Sequence, residues 1–232
     1  MNMDIVNKLL TSNAYFPVAT PKDSILLHFT AGQHADGAIN SFQRKLGDKR
    51  DPVSVPYVLD IDGKIYKMFD EQYWSYHIGV MGSYKLDHKQ DKRTVAIEIV
   101  NVGPLMMKGD NMCFWPPVDI HGNATFGTPF CKVSETNRYV KLPTLYRTYQ
   151  YLAAFTPEQL AIIPEFVNDI CERNKMPKKL APLAKRYEYD PAFFDGFKGV
   201  MCHTNWRPDK TDLAPVQGDP IFAALEKIGF SE

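Results

Sequence analysis

Two hydrophobic patterns alternate along this chain, and their order constrains the fold more than any other feature of the sequence. The apolar run SILLHFTAG at 24–32 and the alternating segment RTVAIEIVN at 93–101 are typical of strands. Between them, GAINSFQRKLGD at 37–48 has apolar residues at helical spacing, and 55–70 is typical of a hairpin with a type I′ turn at Asp62–Gly63. Strands and helices therefore alternate through the first half of the chain.

The end of the chain continues this order. Residues 156–174 predict a helix, because Thr156 is a good N-cap and Gln159 completes a capping box. A short strand at 197–203 and a closing helix at 219–230 follow. The complete order predicts an α/β fold in which a single mixed central β-sheet is flanked by helices.

Residues 102–155 interrupt the alternation. Their middle part, MKGDNMCFWPPVDIHGNATFGTPFC, is rich in Gly, Pro and Asn and shows neither the helical nor the strand period. We therefore expect a long irregular insert at about 102–155. It would interrupt a single domain over 1–232, whose core lies at 24–101 and 155–230.

The charge balance excludes several classes of partner. The 232 residues include 27 Lys+Arg and 27 Asp+Glu, and no basic stripe is interleaved with aromatic residues, so we expect no nucleic-acid partner. No apolar run reaches about 18 residues, so no membrane span is expected. The N-terminal segment lacks the basic and apolar regions of a signal peptide, which predicts synthesis in the cytoplasm without one.

The cysteines indicate a reduced protein. The four of them are far apart and form no CxxC pair, so they are too few for a disulfide scaffold in a chain of this length. A bridge between Cys113 and Cys131 inside the insert stays open as an alternative.

Three polar residues are candidates for a metal site at one edge of the sheet. His28 ends a predicted strand, His203 ends the last strand, and Asp212 lies in the loop after it. Ends of neighbouring strands are where α/β proteins place ligands, and two imidazoles with one carboxylate suit zinc while leaving a fourth position for water. The alternative is a hydrogen-bonded histidine at a strand end and an ordinary charged loop. The histidines in polar loops are expected to be solvated: His34, His88 and His121.

Five blocks of sequence resemble one family. They are LLHFTAG at 26–32, YVLDIDGKIYKM at 57–68, WSYHIGV at 74–80, VAIEIVN at 95–101 and GVMCHTNWRPDKTDLAP at 199–215. In this order they resemble the zinc-dependent N-acetylmuramoyl-L-alanine amidases, which include phage lysozyme-type amidases, anhydromuropeptide amidases and peptidoglycan-recognition proteins. The blocks cover about 24–101 and 155–230.

The resemblance implies a role for each matching residue. His28, His203 and Asp212 match the family's zinc ligands. Lys210 matches a lysine that stabilises the tetrahedral intermediate, and Glu98 matches a general base for the zinc-bound water.

Further matches imply substrate contacts. His77 matches a block on the rim of the cleft, and Tyr57 and Trp206 are the other expected substrate-binding residues. The sequence departs from the family pattern where Leu213–Ala214 replaces Pro-Gly.

The insert is expected to lie beside the cleft and contact glycan or stem peptide. Its aromatic residues are expected either to stack on sugar or to pack on their own domain: Phe114, Trp115 and Phe126.

The implied activity is hydrolysis of the amide bond between N-acetylmuramic acid and L-alanine in peptidoglycan by a monomer. It would act on the cell wall as an endolysin or autolysin, exported with a holin or by another non-classical route. The alternatives are a cytoplasmic enzyme that recycles muropeptides, a non-catalytic module that binds peptidoglycan, and a zinc hydrolase that acts on another amide.

Overall fold

The computed structural model of the chain describes residues 3–44, 52–79, 88–114 and 127–232. Within them the strands are β1 (Ile5–Asn7), β2 (Ser24–Phe29), β3 (Tyr57–Leu59), β4 (Ile65–Lys67), β5 (Thr94–Ile99), β6 (Pro104–Lys108), β7 (Asn111–Phe114), β8 (Thr128–Lys132), β9 (Tyr139–Tyr146), β10 (Tyr149–Ala153) and β11 (Val200–Cys202). The helices are α1 (Ala35–Arg44), α2 (Lys89–Arg93), α3 (Pro157–Asn174), α4 (Pro191–Phe194) and α5 (Pro220–Lys227), with a 3-10 turn at His203–Asn205. None of the helices in these residues is both long and apolar enough to cross a membrane.

The central sheet has six strands in the order β1-β4-β3-β5-β2-β11. Strands β3, β5, β2 and β11 run parallel to their neighbours, whereas β3 and β4 form an antiparallel hairpin. The sheet is therefore mixed, and helices flank it. The predicted α/β class is confirmed.

One face of the central sheet carries the main core. Ile25, Leu27 and Ile97 point to this side and pack with Phe166 of α3 and Phe222 of α5. The helix α3 begins as predicted: the Thr156 side chain accepts from the Gln159 backbone N–H, and the Gln159 side chain accepts from the Thr156 backbone N–H. Helices α3 and α5 therefore cover the face of the sheet opposite to the candidate site.

The other face is covered by α1 over β3 and β5, and by shorter segments over β2 and β11. Leu26 and Met201 pack with Ile78, Phe194 and Trp206. Because side chains alternate along a strand, His28 lies on the same face as Leu26. The site is thus built on the face of the sheet opposite to α3 and α5.

The insert is not irregular in its described part, so that prediction is wrong. It forms a second, antiparallel sheet of five strands in the order β8-β7-β6-β10-β9. The sequence pattern did not reveal it because these strands carry exposed apolar residues, including Met106 and Met107, which obscure the strand period. Pro143 lies within β9, which is an edge strand, where a missing N–H is tolerated.

The predicted hairpin at 55–70 is present, but its turn is of another type. Gly63 has a φ of +83°, whereas Asp62 is not among the residues of positive φ, which a type I′ turn requires at both central positions. The Gly63 N–H donates to the Asp60 carbonyl oxygen over 3.1 Å and closes the turn. Hairpin and strands are thus confirmed, and the turn type is corrected.

All four cysteines of the chain are free and buried. The alternative of a bridge between Cys113 and Cys131 is therefore excluded in this structure.

Candidate metal centre

Three strand and loop segments bring the predicted metal ligands together. His28 lies near the carboxyl end of β2, and His203 directly follows the neighbouring parallel strand β11. The loop after His203 returns to the same place, because the Thr204 N–H donates to the Asp212 carbonyl oxygen over 2.9 Å. Residues far apart in sequence therefore meet at one edge of the sheet.

The three side chains converge through one atom each. The distance is 2.9 Å between His28 Nδ1 and His203 Nδ1, and 3.0 Å between His203 Nδ1 and Asp212 Oδ2. His28 Nδ1 lies 3.3 Å from Asp212 Oδ2. All three residues are buried. In the described residues this is the group of His, Cys, Asp and Glu side chains whose geometry could hold a metal ion.

The far side of each imidazole is held by a hydrogen bond. His203 Nε2 lies 2.7 Å from the carbonyl oxygen of Ile78, which can only accept, so Nε2 carries a proton. In the neutral ring, Nδ1 then carries a lone pair. His28 Nε2 lies 3.2 Å from His77 Nδ1. These contacts orient both rings toward Asp212.

The proton positions on His28 follow from a chain of hydrogen bonds behind it. The Thr94 hydroxyl donates to the Gln90 carbonyl oxygen over 2.7 Å, so it accepts from His77 Nε2 over 2.9 Å. A neutral His77 ring then has a lone pair at Nδ1, which accepts from His28 Nε2. His28 is left with a lone pair at Nδ1, the atom that faces the site.

Burial and neighbouring charges favour the metal-binding protonation states. Burial, followed by the electrostatic effects of His203 and Lys210, lowers the pKa of His28 to about 4, although Asp212 opposes the shift. Burial alone would raise the pKa of Asp212, but His203 and His28 outweigh it and hold that pKa well below its usual range. When both rings are neutral, two imidazole lone pairs and a carboxylate point at one another, an arrangement that a cation relieves.

Glu98 lies beside these ligands. It is the register partner of His28 on the parallel strand β5, so the two side chains project from the same face of the sheet. Glu98 is half-buried and lines an open cleft together with residues 30–34, 36–38 and 41–42. A carboxylate is therefore available next to the metal centre and open to a ligand in the cleft.

Lys210 is held in the same loop as Asp212. It is half-buried, and the Thr204 hydroxyl donates to its carbonyl oxygen over 3.1 Å. Its charge is among those that lower the pKa of His28, after burial and His203. The lysine is therefore close enough to the site to act on it electrostatically.

Tyr57 does not reach the site, so its expected contact with substrate is wrong. It pairs with Ile97 in register and projects to the face covered by α3, where its ring packs against Phe166. Its hydroxyl donates to Glu71 Oε2 over 2.6 Å. Val58, not Tyr57, is the register partner of Glu98 and shares its face of the sheet.

His77 and Trp206 are close to the metal centre but lie beneath it. The His77 side chain is 3% exposed and contacts His28 from behind, so it is not on the rim of the cleft. Trp206 is 0% exposed and packs with Leu26 and Met201. Neither ring offers a surface to substrate, because both side chains are buried.

The remaining candidates divide into buried, exposed and undescribed residues. Phe114 is buried in the second sheet and packs on its own domain, while Trp115, Phe126 and His121 lie outside the described residues. His34 is exposed at the cleft, as expected. His88 contacts Asp91 over 3.4 Å, and its side chain is 32% exposed.

The sequence analysis missed two residues that contact the loop at 203–212, which carries His203 and Asp212 and is called the ligand loop below. Tyr146 and Arg147 stand at the tip of the β9–β10 hairpin and bond to residues 204–208. No motif marks them, because their role depends on how the second sheet packs.

A family model described as N-acetylmuramoyl-L-alanine amidase matches residues 19–215. This match includes the three convergent ligands as well as Glu98 and Lys210. The chain belongs to this family. Its enzyme class is therefore that of an N-acetylmuramoyl-L-alanine amidase, a hydrolase that acts on peptidoglycan. No curated protein sequence matches the chain significantly.

Several solved structures are similar to the chain. The amidase AmiD from E. coli, in complex with an anhydro-N-acetylmuramic acid peptide, has 15% identity and a TM-score of 0.49 over 94% of this chain and 61% of that one. The amidase LysC from Clostridium intestinale has 12% identity and a TM-score of 0.48 over 98% of each chain. The hydrolase AmiA from Staphylococcus aureus has 14% identity and a TM-score of 0.47 over 100% of this chain and 88% of that one. At such identities and TM-scores, the family assignment rests on the family model.

Proposed function

We propose that this protein is a zinc-dependent amidase that hydrolyses the bond between N-acetylmuramic acid and L-alanine in peptidoglycan. The observation that carries the proposal is the convergence of His28, His203 and Asp212 on one point, with Glu98 and Lys210 beside them. Membership of the amidase family supports the bond that is cut.

The donor set fits zinc. Two imidazole nitrogens and one carboxylate oxygen are ligands that zinc prefers, and three protein ligands leave a fourth tetrahedral position open, as catalytic zinc sites do. The hydrogen bonds to Ile78 and His77 leave both Nδ1 atoms free of protons, which metal binding requires. His28, His203 and Asp212 would therefore hold the ion.

The residues of the chain supply the proton transfers and a fixed charge. Zinc in such a site supplies a nucleophile at neutral pH and polarises the scissile carbonyl. The Glu98 carboxylate takes a proton from the attacking water and delivers it to the departing amide nitrogen. The Lys210 ammonium stabilises the negative charge that develops on the carbonyl oxygen.

The second sheet is proposed to contact the glycan or stem peptide. In support, a cavity of about 380 Å³ lies between the second sheet and the loop at 32–34, with Phe130 and Arg138 in its wall. The same loop lines the cleft of Glu98, so cavity and cleft adjoin. Arg138 offers a positive charge to the carboxylates that a stem peptide carries.

The biological setting is part of the proposal. The chain would work as a monomer and as one amidase-type domain, whose core at 24–101 and 155–230 carries the second sheet at 102–155. It would act on the cell wall after export with a holin or by another non-classical route. The alternative is a cytoplasmic enzyme that recycles muropeptides. An intact Asp212 favours catalysis over simple binding, because all three ligands are present.

One experiment tests both bond and substrate. Purified sacculi and small muropeptides are digested in parallel with zinc-loaded protein, and the products are identified by mass. We expect free L-alanine amino termini and intact lactyl groups, and the faster substrate distinguishes wall lysis from recycling. His203→Ala, which removes one ligand, is the control and should be inactive. Zinc-loaded wild type that binds the wall but releases no such product would overturn the proposal in favour of a binding module.

A further inference from the structure

The β9–β10 hairpin ends in a tight turn that points at the ligand loop. Tyr146 and Tyr149 pair across the hairpin, and the two residues between them, Arg147 and Thr148, have φ values of +47° and +78°. Positive φ at both central positions gives a two-residue turn of the type that suits twisted hairpins. Positive φ is uncommon for residues with side chains, so this turn is an unusual backbone conformation.

The guanidinium of Arg147 binds the loop between His203 and Asp212. Its Nη1 donates to the carbonyl oxygens of Arg207, over 3.1 Å, and of Pro208, and its Nη2 donates to the Thr204 carbonyl oxygen over 3.4 Å. An arginine presents its donors in a rigid, planar fork, so these bonds fix the relative positions of the carbonyl groups. The side chain is half-buried, which limits competition from water.

Tyr146 connects the same turn to the functional residues through Thr204. The Tyr146 hydroxyl oxygen lies 2.7 Å from Thr204 Oγ1, and the Thr204 hydroxyl donates to the Lys210 carbonyl oxygen over 3.1 Å. The Thr204 backbone N–H donates to the Asp212 carbonyl oxygen over 2.9 Å. Thr204 thus bonds to the backbone of Lys210 and of Asp212, and Tyr146 of the turn bonds to Thr204.

Apolar packing adds to these bonds after Asp212. Leu142 of β9 and Leu152 of β10 form a buried cluster with Ala214. Leu213–Ala214 replaces the Pro-Gly of the family pattern, so Ala214 matches the glycine. The methyl group that distinguishes it from glycine therefore packs against the second sheet.

We propose that Arg147 and Tyr146 are positioning residues for the metal centre, and that the second sheet braces the loop at 203–212. This inference rests on the proposed function, because it assigns the brace to zinc binding and catalysis. The brace holds the loop in the conformation in which Asp212 and Lys210 both reach the site. Without it, zinc binding would have to order the loop, and the lost entropy would weaken the affinity.

The test compares loop variants in the complete chain. Arg147→Ala removes the fork, Arg147→Lys keeps the charge but not the fork, and Tyr146→Phe removes one hydroxyl. Lys141→Ala is the control, because Lys141 is an exposed cation on β9, away from the hairpin tip. Measurements are the zinc Kd by chelator competition, amide hydrogen exchange at 203–212, and kcat and KM on a muropeptide. Thermal unfolding of the zinc-free proteins shows that each variant is folded.

We expect Arg147→Ala to weaken zinc binding about 10-fold, as loss of an outer partner does in metal sites. Loop amides should exchange faster, and kcat should fall more than KM rises. Arg147→Lys and Tyr146→Phe should lie between wild type and Arg147→Ala. A folded Arg147→Ala with the zinc Kd and loop exchange of wild type would overturn the brace. Wild type that binds no zinc would overturn the proposed function instead. In that case amide hydrogen exchange at 203–212, compared between wild type and Arg147→Ala, would still test whether Arg147 holds the loop.

Discussion

His28 and His203 face each other through like atoms, since their Nδ1 nitrogens lie 2.9 Å apart. Both rings donate their Nε2 protons away from the site, to His77 and to Ile78. In the neutral rings two lone pairs therefore meet, and the Asp212 carboxylate adds a third acceptor. Such a group of acceptors is unfavourable by itself and favourable around a cation, so metal binding and stability should be linked.

Removing the metal should therefore lower both stability and activity. Treatment with a strong chelator is expected to abolish turnover and lower the Tm, and zinc should restore both. At a free zinc concentration of about 100 Kd, the gain in unfolding free energy is about 2.7 kcal/mol. Calorimetry with and without chelator measures it, and magnesium is the control, because a hard oxygen-seeking ion does not suit these ligands. Unchanged activity after complete zinc removal would contradict a metal-dependent mechanism.

Neutralising Glu98 or Lys210 should affect turnover but not zinc binding. Glu98→Gln removes the proton acceptor and should lower kcat by about 10²–10⁴-fold. Lys210→Met removes the charge at the oxyanion and should lower kcat by about 10²–10³-fold, the effect of losing one oxyanion contact. Metal analysis of the same preparations should give one zinc per chain in each. A variant that keeps full kcat would remove that residue from the mechanism.

His77 should control zinc affinity. It fixes the proton of His28 on the far side of the ring, so His77→Ala should raise the zinc Kd about 10–100-fold. His77→Gln can still accept from His28 and should recover part of the affinity, which mere loss of packing would not explain. His34→Ala is the matched control, because His34 is exposed and makes no contact with a ligand atom of the metal centre. Equal zinc Kd values for wild type and His77→Ala would refute this role.

Tyr57→Phe should reduce stability without affecting catalysis. The change removes the hydroxyl that donates to the buried Glu71 carboxylate, and a lost partner of this kind costs about 1–3 kcal/mol. Urea unfolding measures the loss. Because Tyr57 faces α3 and not the cleft, kcat/KM on a muropeptide should stay within about twofold of wild type. A large rise in KM would show that Tyr57 contacts substrate after all.

Glu71 should make the protein less stable at acid pH. Burial acts to raise its pKa, but hydrogen bonds from Arg173, Tyr57 and Asn174 outweigh burial and leave the pKa below the ordinary value of 4.5. A carboxyl group of this kind contributes stability above its unfolded pKa and loses it as pH falls through the folded pKa.

The comparison with Glu71→Gln isolates this contribution. Wild type should exceed the variant in unfolding free energy at pH 7, and the difference should shrink as the pH falls below about 4. Urea unfolding at several pH values measures it. Arg173→Gln should reduce the same pH dependence, because Arg173 is the strongest partner. A difference that stays constant over this range would show that Glu71 ionisation does not contribute.

The convergence of His28, His203 and Asp212 could be predicted from the sequence because two simple rules apply to these residues. His28 and His203 end neighbouring buried strands, and the loop after His203 is long enough to return with Asp212. Strand ends on one edge of a sheet meet, whatever the details of packing. The order of strands and helices follows from hydrophobic period in the same way.

The substrate residues were mispredicted because sequence blocks do not give the direction of side chains. Tyr57 and Val58 are adjacent, yet only Val58 shares a face with Glu98, since a shift of one residue reverses the face. His77 and Trp206 lie close to the ligands in space but beneath them. The second sheet escaped prediction because exposed apolar residues such as Met106 and Met107 obscure the alternation along its strands.

The second sheet begins and ends at one place, after the central strand β5 and before helix α3. Strands β6 and β10 pair through Pro104 and Leu152, and the Ala153 N–H donates to the Gly103 carbonyl oxygen over 2.9 Å. An excursion with adjoining ends can grow, shrink or be replaced during evolution without moving the strands that carry His28 and Glu98. Its far tip, in contrast, touches the ligand loop. Evolutionary freedom in the second sheet should therefore decrease from its outer strand β8 toward the residues that reach Thr204.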